Sequence, residues 1–311
     1  MNIYKYLILI LLILATAGCK FQKQNDKESP QIRNSGELIF GDKKVTYFIE
    51  GEGIPCFICA DGEWQKKCFS KSLKNHFQFV FIEQRLSNVY DGPRDYSKIT
   101  MDTIVKDLDI LREHLGYNKI YVLGHSIAGL IALEYARKFP DKTMGVIMIN
   151  TPPHFNPGYM DIIWANWEEK ASAERKEIYE DNQQSLQKIN RDSISAEEWN
   201  YLSYKARVPM DWYDPEYDVS ELYPQFRINN EGWNHFYSLM RDYDITRSQI
   251  ETPIFLSLAK HDYIMPEFIW EDYQDKIEKL TIFRFEKSGH YPHVEEQELF
   301  DSQLLSWIEE N

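Results

Sequence analysis

The sequence predicts an α/β protein: a mostly parallel central sheet of about eight strands, helices on both faces, and a helical segment inserted late in the chain. Three observations predict it. Short apolar runs rich in β-branched and aromatic residues recur near residues 37–41, 45–50, 56–60, 79–83, 119–123, 145–149, 253–258 and 281–285. Helix-period stretches separate them, and such alternation builds parallel strands buried on both faces. Between Pro152 and Ile250 the alternation stops, and a charged, aromatic-rich stretch with no strand-like run takes its place.

Residues 1–18 are a separate element. Lys5 precedes the apolar run Tyr6 to Leu14, and Ala15-Thr16-Ala17-Gly18-Cys19 follows. That is the short apolar region and small-residue exit of a secretory signal peptide, too short for a comfortable membrane span. Its ending on Gly18-Cys19 resembles the bacterial lipobox, which implies cleavage before Cys19, lipidation of that cysteine, and an exported lipoprotein anchored in the cell envelope. Two or more acyl chains would hold such an anchor stably. An ordinary export signal beside an incidental cysteine is the plainer alternative. Residues 19–36 are polar, without hydrophobic periodicity, and read as a flexible tether.

The core is expected over 37–151 and 251–311. A short helix is expected between Lys66 and Asn75. Thr100 is placed to cap a helix whose Ile104, Val105, Leu108, Leu111 and Leu115 share a face and which Gly116 ends. Pro140 stops the helix that runs to Phe139. The last helix, Val294 to Glu309, is expected to bury Leu299, Phe300, Leu304, Trp307 and Ile308. Cys56-x-x-Cys59 has redox or zinc spacing, but inside a strand residues three apart face opposite sides, so buried apolar roles are expected. A Cys59–Cys68 bridge is the alternative that an oxidising compartment would allow.

Chemistry is signalled at three strand ends. Gly124-His125-Ser126-Ile127-Ala128-Gly129 lies between the run Lys119 to Leu123 and the helical pattern Leu130 to Phe139. A serine at the apex of a tight strand–turn–helix presents its hydroxyl clear of its neighbours, which is what a nucleophile elbow requires. Asp262 follows the run Pro253 to Leu258, and His290 follows Thr281 to Phe285. Parallel strands carry such loops to one edge of the sheet, where distant residues converge. Alone, Asp262 reads as a turn residue and His290 as a loop residue. In the order Ser, Asp, His, each at a strand end, they read as a triad. His293 is the rival base, His125 sits beside the nucleophile, and His261 is a neighbour of Asp262.

From about Leu38 to the end, the chain resembles the α/β-hydrolase fold superfamily, in its cap-bearing branch with esterases, C–C hydrolases and prolyl iminopeptidase-like enzymes. Besides the triad, the early hairpin Tyr47 to Gly53, the segment Phe81-Ile82-Glu83-Gln84-Arg85 in the place of D-x-R-G, and Asp102 and Asp107 on the helix before the elbow strand carry the resemblance. It implies that residues 152–250 form a helical cap, some of whose aromatic residues line the cleft. It also implies an oxyanion hole made by the backbone N–H groups of Glu63 and Ile127. Two residues depart from the pattern. Asp61-Gly62 stands where the family has His-Gly, placing a carboxylate where negative charge develops unless it is turned away or paired, with Arg85 the candidate partner. Ala128 stands where the elbow usually has Gly, adding a Cβ where helix and sheet pack closely.

The implied activity is that of a serine hydrolase: Ser126 as nucleophile, His290 as base, Asp262 orienting it, through an acyl-enzyme. Haloalkane dehalogenases and epoxide hydrolases of this fold attack with aspartate, so Ser126 directs the expectation to carboxylic esters. A prolyl iminopeptidase-like aminopeptidase is the enzymatic alternative, suggested by Glu83-Gln84-Arg85 and by cap carboxylates able to hold a substrate ammonium. A slow-turnover or non-catalytic binding protein on the same fold is the third reading, motivated by Asp61. A small-molecule substrate is expected, with no metal or other cofactor. The net charge of -14 opposes nucleic acid and anionic lipid surfaces.

Overall fold

The computed structural model describes residues 34–40, 43–86, 95–222, 229–241 and 243–311. The signal peptide, Cys19 and most of the tether lie outside the described residues. Eight strands, β1 (Ser35–Phe40), β2 (Lys43–Glu50), β3 (Ile54–Ile58), β4 (Phe77–Glu83), β5 (Ile120–His125), β6 (Thr143–Ile149), β7 (Ile254–Ala259) and β8 (Leu280–Phe285), form one sheet. Their spatial order is β1-β2-β4-β3-β5-β6-β7-β8. β1 pairs antiparallel with β2 and β2 antiparallel with β4, while every later pair is parallel.

Strict alternation along the strands builds two cores, one on each face. Phe57, Val80, Ile82, Val122, Val146, Met148, Ile254 and Leu256 point into one. Cys56, Ile58, Phe79, Phe81, Tyr121, Leu123, Ile147, Ile149 and Phe255 point into the other. Because both faces are covered, the runs are continuously apolar, and every residue of β7 is buried. Cys56 and Cys59 fall in opposite cores, and they and Cys68 are free, buried thiols.

The helices, in chain order, are α1 (Gly62–Gln65), α2 (Lys71–His76), α3 (Met101–His114), α4 (Gly129–Lys138), α5 (Tyr159–Lys170), α6 (Ala173–Gln187), α7 (Ala196–Asp211), α8 (Asn230–Met240), α9 (Pro292–Glu295) and α10 (Gln297–Glu310). Residues of α3 and α4 fill the first core, and those of α2 and α10 the second. Thr100 and Thr103 close a reciprocal capping box at α3, and Gly116, at φ +77°, lets the chain leave its end. The helix expected over 66–75 instead starts at Lys71, because the Ser70 hydroxyl accepts the Leu73 N–H at 2.9 Å and fixes the start there. At the C-terminus one expected helix is two, and Leu299 turns outward, 41% exposed, while Phe300, Leu304 and Trp307 face the core.

Among the described residues, four helices, α5 to α8, stand between β6 and β7, where the sheet pattern of the sequence breaks. They do not form a core of their own alone. Phe236 and Met240 of α8 belong to the first sheet core and Val208 of α7 to the second, while Tyr159, Ile163 and Trp167 cluster with Tyr263, Met265 and Ile269 from the loop after β7. Arg85 is buried and pairs with the buried Asp107 of α3, which ties the loop after β4 to that helix. The expected pairing of Arg85 with Asp61 is therefore replaced by this one.

The turn after β5 tolerates no added atom at Gly124, where a Cβ would lie 2.3 Å from the Ala128 carbonyl oxygen and 2.5 Å from the Gly129 nitrogen. Gly124→Ala is expected to destabilise the fold by about 1–3 kcal/mol, as forced overpacking does. Urea unfolding checks it, and a midpoint equal to that of the wild type would contradict this reading of the turn.

Candidate active site

β5 delivers its last residue, His125, to the edge of the sheet, and the chain turns at once through Ser126 into α4. Ser126 sits at φ +56°. A β-carbon in that left-handed region costs of order 1–3 kcal/mol, tolerated where surrounding packing fixes the turn. Gly124 provides the close approach behind it. The tight helix–sheet contact falls at Gly129, where a Cβ would meet the Thr151 hydroxyl at 1.9 Å, so Ala128 is accommodated as a buried core residue.

Asp262 follows β7 and is 2% exposed. Its carboxylate is held from four directions. Oδ1 accepts the N–H groups of Ile264 (2.9 Å) and Met265 (2.8 Å). Oδ2 accepts Asn150 Nδ2 (2.8 Å) and His290 Nδ1 (2.7 Å). Asn150, at the exit of β6, adopts φ +45° and also donates to the Gly289 carbonyl at 3.1 Å. Sequence reasoning missed Asn150. Its signal was an asparagine directly after a buried strand run, a residue type that accepts left-handed backbone and carries both a donor and an acceptor.

The His290 loop is fixed from both sides. Its N–H donates to the Asp211 carbonyl at the end of α7. Glu295 Oε1 accepts the N–H groups of Gly289 (2.9 Å) and Tyr291 (3.2 Å), and Oε2 accepts that of Tyr213 (2.6 Å). Burial pushes the Glu295 carboxyl up to about 7 against the lowering effect of these bonds. His125 Nε2 donates to the His290 carbonyl at 2.8 Å, and burial drives its imidazole well below the ordinary histidine range, so it is neutral.

Ser126 and His290 line one cavity of about 690 Å³ at the C-terminal edge of the sheet. Trp199, Tyr204 and Arg207 of α7 and Trp233, Asn234 and Tyr237 of α8 form the facing wall. Among the described residues, the lining from these inserted helices contains no carboxylate. The acidic groups of the cavity, Asp61, Glu63 and Glu83, come instead from the exits of β3 and β4. Burial, then the nearby Glu83, pushes the Asp61 carboxyl up to about 8, which keeps it protonated at neutral pH. Ile127 also lines the cavity. The Glu63 N–H, the other expected oxyanion donor, is engaged by Glu83 Oε1 at 2.7 Å.

His293 does not join this arrangement. It is 1% exposed, neither ring nitrogen has a hydrogen-bond partner among the described residues, and Phe69 and Phe300 pack against it with ring centroids 5.4 and 5.8 Å away. Burial lowers its pKa to about 3. With the unfolded chain protonating near ~6.5, the unfolded state binds more protons between these values, so the stability due to neutral His293 is present above that range and lost as pH falls through it. His293→Phe is expected to flatten the decline of urea stability between pH 7 and pH 4. An unchanged pH dependence would count against the reading.

The chain matches the family described as alpha/beta hydrolase fold over residues 58–297. It is 26% identical over 276 residues to the AB hydrolase superfamily protein YclE of Bacillus subtilis, covering 86% of this chain and 95% of that one. To a proline iminopeptidase of Lactobacillus helveticus it is 26% identical over 239 residues, covering 71% and 75%. Among solved structures, an esterase from Thermogutta terrifontis superposes with a TM-score of 0.62 at 19% identity, over 89% of this chain and 99% of that one. The continuous match from β3 to the start of α10, on a sheet of this order, makes the chain a member of the alpha/beta hydrolase fold family.

Proposed function

We propose that the protein is a serine hydrolase that acts through Ser126, His290 and Asp262 and an acyl-enzyme, with carboxylic esters as its substrates. One observation carries the reading: a serine in left-handed backbone faces the same cavity as an imidazole whose Nδ1 is bonded to a buried carboxylate. Asp262 fixes the tautomer, so His290 Nε2 is the basic nitrogen. It takes the Ser126 proton as Oγ attacks the carbonyl carbon, and the carbonyl electrons move to oxygen beside the Ile127 N–H. Collapse expels the alcohol, which takes the proton from His290. Water then repeats the sequence on the acyl-enzyme and releases the acid. The cavity falls within the ~300–1,000 Å³ usual for small-molecule sites, and its aromatic wall suits an apolar acyl or alcohol part.

An aminopeptidase is the second reading, favoured by the acidic wall formed by Asp61, Glu63 and Glu83 and by relatives named proline iminopeptidase. The absence of carboxylates in the described lining from α7 and α8 supports the ester instead. A fluorophosphonate is expected to label the wild type and not Ser126→Ala, and p-nitrophenyl esters are expected to turn over faster than proline p-nitroanilide. Faster anilide hydrolysis would favour the peptidase. An unlabelled wild type would favour a binding protein that has kept the fold.

The same proposal puts the enzyme in the cell envelope on a lipid at Cys19, supported by Lys5, the apolar run 6–14 and the Gly18-Cys19 ending. In a bacterial host, Cys19→Ser is expected to move the protein from the membrane to the soluble fraction. Unchanged membrane retention would remove the lipid anchor from the proposal.

A further inference from the structure

We propose that Glu83 is a built-in plug of the oxyanion site, so that the substrate carbonyl must take the Glu63 N–H away from the Glu83 carboxylate before the site becomes competent. The inference rests on the serine-hydrolase reading above and goes beyond it by assigning a role to a residue outside the triad.

Sheet order supplies the geometry. β4, β3 and β5 are neighbours in that sequence, and their exits carry Glu83, then Asp61 and Glu63, then Ser126 and Ile127. All five residues line the one cavity. The Glu83 carboxylate accepts the Glu63 N–H at 2.7 Å, a short, charge-assisted bond. A carboxylate oxygen bonded to that N–H occupies the position a carbonyl oxygen would take, and its charge opposes the one that develops on attack. Two anions cannot share one donor, so Glu83 must leave.

The neighbouring group that can receive it is Asp61. Asp61 sits in left-handed backbone at φ +55°, and its carboxyl is neutral at pH 7. A protonated carboxyl donates O–H to a carboxylate, so Asp61 and a displaced Glu83 can share one proton. The other groups that sense Asp61 are the cap phenols Tyr204 and Tyr237, both held neutral by burial. Arg207, bonded to Asp211, faces the same wall. The carboxylate that the Asp61 substitution seemed to place against the oxyanion thus becomes the partner that draws the true obstacle aside.

The rate of Ser126 labelling by a fluorophosphonate, and kcat for p-nitrophenyl acetate, test the plug in the wild type, Glu83→Ala and Glu83→Asp. Glu83→Asp keeps the charge and shortens the reach by one methylene. Because one oxyanion donor is worth ~10²- to 10³-fold in rate, both variants are expected to run about tenfold faster or more. Rates equal to or below the wild type in both would overturn the proposal. A structure of the wild-type phosphonate adduct tests it without any variant. The phosphonyl oxygen is expected on the Glu63 N–H with Glu83 turned toward Asp61, and a persisting Glu63–Glu83 bond overturns it. If neither wild type nor variants take the label, the serine nucleophile fails and the plug falls with it.

Discussion

The candidate site hangs on the buried carboxylate of Asp262. An ion taken out of water is costly unless donors replace its hydration, and four donors do so here: two backbone N–H groups of its own loop, the Asn150 amide and the His290 ring. Those donors come from the exits of β6, β7 and β8, so one side chain joins three loops into a single rigid edge. The bond to His290 also leaves a defined nitrogen for chemistry. Orientation of the His290 ring and integrity of the edge are therefore the same interaction.

The inserted helices share in that arrangement. Their last long member before the cavity, α7, ends at Asp211, whose carbonyl takes the His290 N–H, and the next residues pass over Glu295, which binds the His290 loop from below. Trp212 stacks on Tyr217 at 4.0 Å and on Tyr291 at 4.5 Å, sealing the junction with aromatic area. The insertion thus does more than roof the cavity. It forms part of the frame that holds the imidazole.

The strands were legible because β3 to β7, covered on both faces, are nearly continuous apolar runs, while β2, antiparallel and near the sheet edge, alternates and β8 is only partly buried. Ser126, Asp262 and His290 follow β5, β7 and β8, and parallel strands carry such exits to one edge of the sheet. What the sequence did not show are partnerships across long loops. Arg85 faces Asp107 of α3, and both are buried, so the pair forms only once that helix packs beside the loop after β4. Asn150 drew no notice in the sequence, and its two donations become visible only once β6 lies beside β7. Leu299 reads as apolar in a helical period, yet the axis of α10 is set by Phe300, Leu304 and Trp307. Cap carboxylates were one candidate for holding a substrate ammonium, and the described acidic lining comes instead from Asp61, Glu63 and Glu83 at the exits of β3 and β4.

The three described thiols bear on how this body meets oxidants. Cys56, Cys59 and Cys68 are free and buried, and burial raises each well above the ordinary thiol range, so thiolate is scarce. Oxidants and alkylating agents act on thiolate. Among the described residues the body therefore holds together without a disulfide, and its cysteines are kept from thiolate chemistry by the same packing that builds the two cores.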